Sequence, residues 1–313
     1  MSADVVVTEK LSKTYRVGFW GRKVEALRDV SLRVAEGEIF GLLGPNGAGK
    51  TTTMKLLLGF VRPTSGSASV AGHPAGTPEA RKRFGYLPEN PALHEFLKGD
   101  ELLVLLGRLS GLSGREAKRR AGELLELVGL TGRGTDRPIR KFSKGMVQRL
   151  AIAQALVADP PIVLFDEPMS GLDPVGRKDV RDLIFSLREQ GKTVFFSTHI
   201  LPDVEAICDR VGIITNGRLT DCGRLSELVD ATTRETELVL AGVGDGLKER
   251  YAQVARPLER DGQLVLRFSD EEAAQAAARD ALDHGGRLVS LTSHRESLEE
   301  LFVRRARESR SAA

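Results

Sequence analysis

A short glycine-rich segment limits the possible folds of this chain more than any other feature. The segment is GPNGAGKTT at 44–52, which fits G-x-x-x-x-G-K-[ST] between an apolar strand pattern and a helical pattern. Glycines let the backbone turn its N–H groups onto phosphates, and a helix that begins at Lys50 directs its positive end toward the same anion. We expect Lys50 to neutralise the β- and γ-phosphates of a nucleoside triphosphate and the Thr51 hydroxyl to ligate Mg²⁺. The predicted phosphate-binding residues are Asn46, Gly47, Ala48, Gly49, Lys50, Thr51 and Thr52.

Two adjacent carboxylates follow a second apolar strand pattern, Ile162–Phe165. In a doubly wound sheet, ligands bind at the carboxyl ends of the strands, so Asp166 and Glu167 are expected beside the phosphate loop. Asp166 is then placed to hold Mg²⁺, directly or through water. Glu167 is expected on the opposite side by strand alternation, where it could accept a proton from an attacking water. The alternative, two solvated loop carboxylates, is disfavoured by the buried strand pattern before them.

Strand and helix patterns alternate through the first part of the chain, which predicts an α/β fold. Short continuous apolar runs at Val163–Phe165 and Val194–Ser197 are typical of strands buried on both faces. A mostly helical stretch interrupts this alternation, and we assign it to a helical subdomain at about 91–150.

The pattern changes after Asp221. Strand patterns at Thr236–Ala241 and Leu264–Phe268 precede an alanine-rich helix pattern with an acidic first turn. This combination predicts a small C-terminal α+β appendix. We therefore expect a nucleotide-binding domain at 1–224 and an accessory domain at 225–313.

Composition and charge exclude several classes of partner and of structural support. Lys+Arg 46 against Asp+Glu 43 leaves a formal charge of +3, which argues against nucleic acid held by bulk charge. The two cysteines provide neither a disulfide framework nor a zinc cluster, which suits a reducing cytoplasm. The most apolar runs, such as Thr193–Leu201, are shorter than the roughly 18 residues of a membrane-spanning helix. Any membrane association is therefore expected to come through a partner.

The order of the remaining motifs resembles that of ABC-type ATPases. The segment FSKGM at 142–146 resembles the signature, SGLD at 170–173 the D-loop, and FSTH at 196–199 the switch strand that ends in histidine. Tyr15 resembles the aromatic residue that stacks on adenine. The resemblance covers about residues 5–221 and implies a P-loop ABC-type ATPase core with a helical subdomain.

This resemblance also implies an activity and an assembly. The activity is ATP hydrolysis with ATP and Mg²⁺, carried out by a head-to-tail homodimer with composite sites. Ser143 and Gly145 precede a helical pattern and would contact the γ-phosphate bound to the partner chain. His199 would stabilise the γ-phosphate and hold the attacking water.

Two further segments are similar to one branch of the family, the nucleotide-binding subunits of bacterial ABC-2-type exporters. They are GYLPE at 85–89 and SLEELF at 297–302. This likeness implies a separate integral membrane transporter subunit as partner and export as the direction. It also implies a peripheral location on the cytoplasmic face of the cell membrane. We expect the partner to dock on the helical insert near Glu89–Leu97.

Three residues depart from the family's pattern. Lys144 and Met146 replace the glycine and glutamine of the signature; neither change removes Ser143 or Gly145, and the simpler interpretation is neutral variation. Glu89 stands where the family has a glutamine that faces Mg²⁺ and water. If Glu89 reaches the site, it adds a third carboxylate to Asp166 and Glu167. The alternative, that Glu89 only belongs to a docking loop, stays open.

We considered three functions. The leading one is an energy-coupling subunit in which ATP closes a dimer and hydrolysis reopens it. A soluble ABC-type ATPase acting in DNA repair or translation is the alternative, but the chain has no sustained heptads and only one phosphate loop. A binding-only regulator is the third, and the intact set of Lys50, Asp166, Glu167 and His199 argues against it.

Overall fold

The computed structural model describes residues 3–18, 21–132, 136–230, 234–243, 250–251, 255, 257–260 and 262–295. The chain forms two compact units, Met1–Leu225 and Ser226–Ala312. The segment SLEELF and the helix predicted from it lie outside the described residues. No helix within the described residues has the length and apolar character needed to cross a membrane.

An antiparallel sheet begins the first unit. Its strands are β1 (Asp4–Val17), β2 (Arg22–Ala35), β4 (Ser65–Val70) and β5 (His73–Pro74), in the order β2-β1-β4-β5. Apolar side chains of β1 and β2, among them Val6 and Val30, are fully buried. They share one core with Phe40 and with Met54 of helix α1 (Lys50–Leu57). This sheet therefore packs over the helix that follows the phosphate loop.

A six-stranded sheet lies between this core and a second one. Its strands are β3 (Ile39–Leu43), β6 (Phe84–Leu87), β7 (Ile162–Asp166), β8 (Thr193–Thr198), β9 (Arg210–Thr215) and β10 (Arg218–Arg224). The order is β10-β9-β3-β8-β7-β6, parallel except for β10 against β9. β3, β7 and β8 are buried along their whole length, as their continuous apolar runs predict. Because β3, β7 and β8 are parallel neighbours, the segments that follow them meet at one edge of the sheet.

Helices cover the second face of the six-stranded sheet. They are α3 (Gly99–Leu109), α4 (Gly114–Leu127), α5 (Lys144–Ala155), α6 (Pro174–Glu189) and α7 (Leu201–Ile207), and the short α2 (Pro78–Arg81) precedes them in the chain. Side-chain caps fix where two of these helices begin: Ser113 and Glu116 form a capping box on α4, and Asp173 caps α6. Leu124 and Leu150 of this layer pack in one core with Phe165.

The strand β10 was not expected from the sequence. Its residues alternate between exposed and half-buried, so the segment has no continuous apolar pattern. It pairs antiparallel with β9 as far as Arg224 opposite Arg210. The change in pattern after Asp221 therefore falls inside a strand, and β10 leads directly into α8 (Leu225–Asp230). The domain boundary at 224/225 stays a prediction.

The second unit contains an antiparallel sheet and a helix that packs on it. The strands are β11 (Arg234–Ala241), β12 (Leu258–Arg260), β13 (Gln263–Phe268) and β14 (Arg287–Arg295), in the order β12-β13-β11-β14. Helix α9 (Glu271–Asp283) begins at Asp270, whose carboxylate accepts from the backbone N of Ala273 at 3.2 Å. Alanines of α9 pack on Leu238 and Leu266, and these residues form a core within this unit.

Candidate active site

The loop between β3 and α1 follows a path that requires glycine. Gly49 has φ of +111°, and a Cβ there would lie 2.6 Å from Cδ2 of Leu27 and 2.7 Å from the carbonyl oxygen of Ala26. Gly47 has φ of +80°. Left-handed backbone of this kind is strained in other residues. The glycines therefore fix the loop against β2 and set the start of α1 at Lys50.

Lys50 turns back over this loop. Its Nζ donates to the carbonyl oxygens of Gly44 at 2.7 Å and Pro45 at 3.2 Å. The same Nζ lies 3.2 Å from Oε1 of Glu167, and the lysine is only 6% exposed. A buried ammonium needs such partners, because desolvation of an unpaired charge is costly. The charge is thus held at the start of α1, where an incoming phosphate could pair with it.

An open cleft of about 320 Å³ lies over the loop. Its lining contains most of the predicted phosphate-binding residues, and it is made by Ala26, Asn46, Gly47, Gly49, Lys50, Thr51, Thr52, Glu89 and Glu167. Ala48 does not belong to this lining. Its side chain is buried, and its N–H donates to the carbonyl oxygen of Pro45 at 3.1 Å.

Asp166 ends β7 and is 1% exposed. Its Oδ1 accepts a hydrogen bond from the hydroxyl of Ser197 at 2.6 Å, whereas its Oδ2 is buried without any hydrogen-bond partner. Such an orphaned carboxylate oxygen is costly unless a ligand satisfies it. The oxygens of Asp166 and Thr51 are of the type that Mg²⁺ prefers. The described residues contain no group of three or more His, Cys, Asp or Glu arranged to hold a metal ion.

Glu167 follows the end of β7 in left-handed backbone, with φ of 52°. Its N–H donates to the hydroxyl of Ser197 at 3.1 Å, and its carboxylate lies between Lys50 and His199. The prediction that strand alternation would set its direction was therefore wrong, because the strand ends one residue earlier. The conformation costs about 1–3 kcal/mol and is typical of functional positions.

His199 follows β8 and completes a chain of contacts. Its Nδ1 lies 2.9 Å from Oε2 and 3.1 Å from Oε1 of Glu167. The tautomer with its proton on Nδ1 donates to this carboxylate and leaves Nε2 free to accept. Lys50, Glu167 and His199 therefore form one continuous polar array.

Glu89 follows β6 and lines the same cleft as Lys50 and Thr51. Tyr86, on β6, is affected by the carboxylates of Asp166 and Glu89. Burial, together with these two charges, raises the pKa of Tyr86 to about 12. The structure thus places Glu89 at the cleft. A role for Glu89 toward a metal stays a prediction.

Besides Ala48, Asp166 and His199, three further predicted site residues are absent from the cleft lining of their own chain. The hydroxyl of Ser143 accepts from the backbone N of Met146 at 3.3 Å and caps α5, and Gly145 lies in the first turn of that helix. Tyr15 lies half-buried on β1, with Nζ of Lys13 5.1 Å from its ring centroid.

Two buried polar residues hold the acidic strand end and were given no role from the sequence. Ser197 bridges the Asp166 carboxylate and the Glu167 N–H. Gln148, on α5, donates from Nε2 to the carbonyl oxygen of Pro168 at 2.8 Å. The signal available in the sequence was a polar side chain within an apolar pattern, which marks burial but not its partner.

Known proteins resemble this chain in sequence and in fold. The family model for ABC transporters matches residues 27–170. An uncharacterized ABC transporter ATP-binding protein of Synechocystis is 44% identical over 98% of this chain and 86% of its own length. The Nod factor export ATP-binding protein I of Cupriavidus pinatubonensis is 35% identical over 89% of this chain and 85% of its own.

A solved structure supports the same family assignment. It is a dimeric ATP-binding cassette in a post-hydrolysis state with ADP and Pi, 28% identical, with a TM-score of 0.64 over 70% of this chain and 98% of that one. The predicted fold class and the predicted ATP hydrolysis are therefore confirmed. This chain belongs to the ABC transporter family as an ATP-binding subunit that hydrolyses ATP.

Proposed function

We propose that this chain drives export through a separate integral membrane subunit, with ATP and Mg²⁺ bound in composite sites of a homodimer. The observation that carries the proposal is the array of Lys50, Glu167 and His199 beside a phosphate-binding loop. It brings together a cation that would bind phosphate, a carboxylate that would accept a proton from water and a histidine that would orient the carboxylate.

Each group has one chemical role. Lys50 binds the β- and γ-phosphates, and Glu167 accepts a proton from the attacking water. His199 donates from Nδ1 to Glu167 and presents its other nitrogen toward the γ-phosphate. Thr51 and Asp166 would hold Mg²⁺, which neutralises charge that develops on the phosphate oxygens.

The proposed homodimer supplies what the cleft lacks. Ser143 caps α5 and Gly145 lies in its first turn, and neither residue lines the cleft of its own chain. The first N–H groups of a helix lack partners within the helix and can bind an anion. A second copy would place these donors over the γ-phosphate, and ATP would then hold the two copies together. Tyr15 would stack on the adenine ring.

The partner and direction rest on relatives. A similar protein is named for Nod factor export, and the described residues include no helix able to span a membrane. A subunit of this kind would act peripherally on the cytoplasmic face of the cell membrane, docked through the segment near Glu89–Leu97. Nucleic acid is not part of the proposal.

A search of the neighbouring open reading frames for a polytopic membrane protein, followed by its co-expression with this chain, tests the proposal. We expect the chain to sediment with membranes only when that protein is present, and its ATP hydrolysis to rise on reconstitution. The Lys50→Ala variant is the matched control, because it should still bind the membrane subunit but not hydrolyse ATP. If the membrane protein changes neither the sedimentation of this chain nor its ATP hydrolysis, the proposed coupling is contradicted.

A further inference from the structure

Helix α5 contacts the loop that carries Glu167 at two points. Gln148, which is 5% exposed, donates from Nε2 to the carbonyl oxygen of Pro168 at 2.8 Å. Lys144, in the first turn of α5, extends its side chain over Gly171 and fills the space that a Cβ on Gly171 would occupy. The loop from Glu167 to Gly171 is therefore held against one helix at both of its ends.

The first of these contacts acts next to the proposed general base. Pro168 is bonded directly to Glu167, and the N–H of Glu167 is held from the other side by the hydroxyl of Ser197 at 3.1 Å. Side chains from α5 and β8 thus fix the backbone before and after the Glu167 carbonyl group. Because the backbone of Glu167 is left-handed, with φ of 52°, it needs such external support to keep this conformation.

We propose that Gln148 is a positioning residue for hydrolysis, which aims the Glu167 carboxylate by holding the Pro168 carbonyl, with Lys144 as a second and weaker support. The inference rests on the proposed function, since it takes Glu167 to be the base. It also gives a specific role to the lysine at the glycine position of the signature, because the stem of this lysine steadies the D-loop glycine. The same helix that begins with Ser143 would then also set the geometry of the base in its own chain.

The arrangement predicts a separation between binding and turnover. Gln148 is not a lining residue of the cleft, and its side chain donates to the Pro168 carbonyl oxygen, so its loss should leave the affinity for ATP unchanged. A base displaced by about 1 Å, in contrast, loses up to roughly 100-fold in rate.

The test compares Gln148→Met with Gln154→Met in the full chain. Both residues lie on α5, and methionine fills a similar volume without an N–H donor. For Gln148→Met we expect a fall in kcat of about 10- to 100-fold, with an unchanged Kd for ATP. We also expect undiminished ATP-driven dimerisation. Gln154→Met should match the unmodified chain in all three measurements.

A double-mutant cycle separates positioning from a merely structural role. If Gln148 acts through Glu167, Gln148→Met should cause no further loss of residual hydrolysis when it is added to Glu167→Gln. If Gln148 has only a structural role, Gln148→Met should lower hydrolysis by the same factor in the unmodified chain and in Glu167→Gln. Lys144→Gly provides a second variant at an exposed position, and it should lower kcat by a few-fold at constant ATP affinity.

Two results would overturn the inference. One is a Gln148→Met turnover equal to that of the Gln154→Met control; the other is a loss of ATP affinity as large as the loss of turnover. If Gln148→Met does not fold, an unchanged kcat in Lys144→Gly rejects the support by α5. Failure of the proposed function is recognised separately, because Glu167→Gln alone would then retain turnover.

Discussion

Nζ of Lys50 lies 3.2 Å from Oε1 of Glu167, and both side chains are buried. The cation proposed for phosphate is thus paired with the proposed base. An incoming nucleotide whose phosphates bind Lys50 would compete with Glu167 for this ammonium group. The carboxylate would then be available to a water molecule. We therefore expect this ion pair to couple ATP binding to activation of the proposed base.

Replacing the base should separate nucleotide binding from hydrolysis. In Glu167→Gln we expect turnover to fall by about 10²–10⁴-fold. We expect ATP binding to be retained or tightened, because Lys50 loses its competing carboxylate. Light scattering with ATP and Mg²⁺ should detect a trapped dimer. Glu205→Gln, an exposed carboxylate on α7, is the control. A variant that stays monomeric with ATP bound would contradict the composite site.

Truncation of a side chain in the phosphate loop should weaken ATP binding, whereas truncation in the signature should affect only hydrolysis. Lys50→Ala removes a charged hydrogen-bond donor, so the Kd for ATP should rise by about 10- to 100-fold. Ser143→Ala should leave binding by the monomer intact and abolish hydrolysis. Equilibrium binding with labelled ATP and phosphate release measure the two effects.

The control for Ser143→Ala is Ser113→Ala, since Ser113 also caps a helix. Each variant should lose about 0.5–2 kcal/mol of stability through the missing cap. Only Ser143→Ala should lose hydrolysis. An equal loss of ATP affinity in Lys50→Ala and Ser143→Ala would mean that Ser143 acts within its own chain.

Glu89→Gln tests whether the third carboxylate assists the metal. The variant restores the family's residue at nearly constant shape and removes one negative charge from the cleft. Because carboxylates attract Mg²⁺ more strongly than amides do, we expect a several-fold rise in the Mg²⁺ concentration for half-maximal ATP binding. Glu95→Gln, exposed in the following segment, is the control. Identical Mg²⁺ titrations for both variants would reject the metal role.

The ATP-binding unit should function without the appendix. The second unit has its own core, which includes Leu238 and Leu266, and the cleft is lined by residues no later than Glu167. A chain that ends at Leu225 should therefore bind ATP with an affinity close to that of the full chain. Circular dichroism and ATP titration check this. A truncated chain that folds but does not bind would show that the boundary is misplaced.

Tyr86 should make the fold sensitive to alkaline pH. Burial and the carboxylates of Asp166 and Glu89 raise its pKa to about 12, from an ordinary value of 10.0. Between these values the unfolded chain releases the proton while the folded chain keeps it. The free energy of unfolding should therefore fall as the pH rises from about 10 to 12. Urea denaturation across this range should show a shallower decline for Tyr86→Phe, and parallel declines would contradict the assignment.

The residues that local sequence predicts well are those whose role follows from their neighbours in the chain. Lys50 and Asp166 stand at fixed places relative to a glycine loop and a buried strand, and the fold puts them there. Glu167 was found as a candidate, but its left-handed backbone was not, since an apolar run does not show on which residue the strand ends. The place of Glu89 depends on how a loop returns to the cleft, which is a tertiary property.

Long-range partners account for what the sequence could not reveal. Ser197 and Gln148 were visible as polar residues in apolar patterns, yet their partners come from other elements. The same limit applies to β10. Its alternation of exposed and half-buried residues is a weak strand signal, and its pairing with β9 is what makes it a strand.

The hydrogen bond from the Glu167 amide to Ser197 has a consequence for observing this protein at work. An amide that donates to a buried hydroxyl exchanges its hydrogen with solvent only when the surrounding segment opens. The rate of deuterium uptake at this one amide therefore reports how often the segment opens. This measurement needs no attached probe and no substitution, so it can be made for each nucleotide state of the unmodified chain.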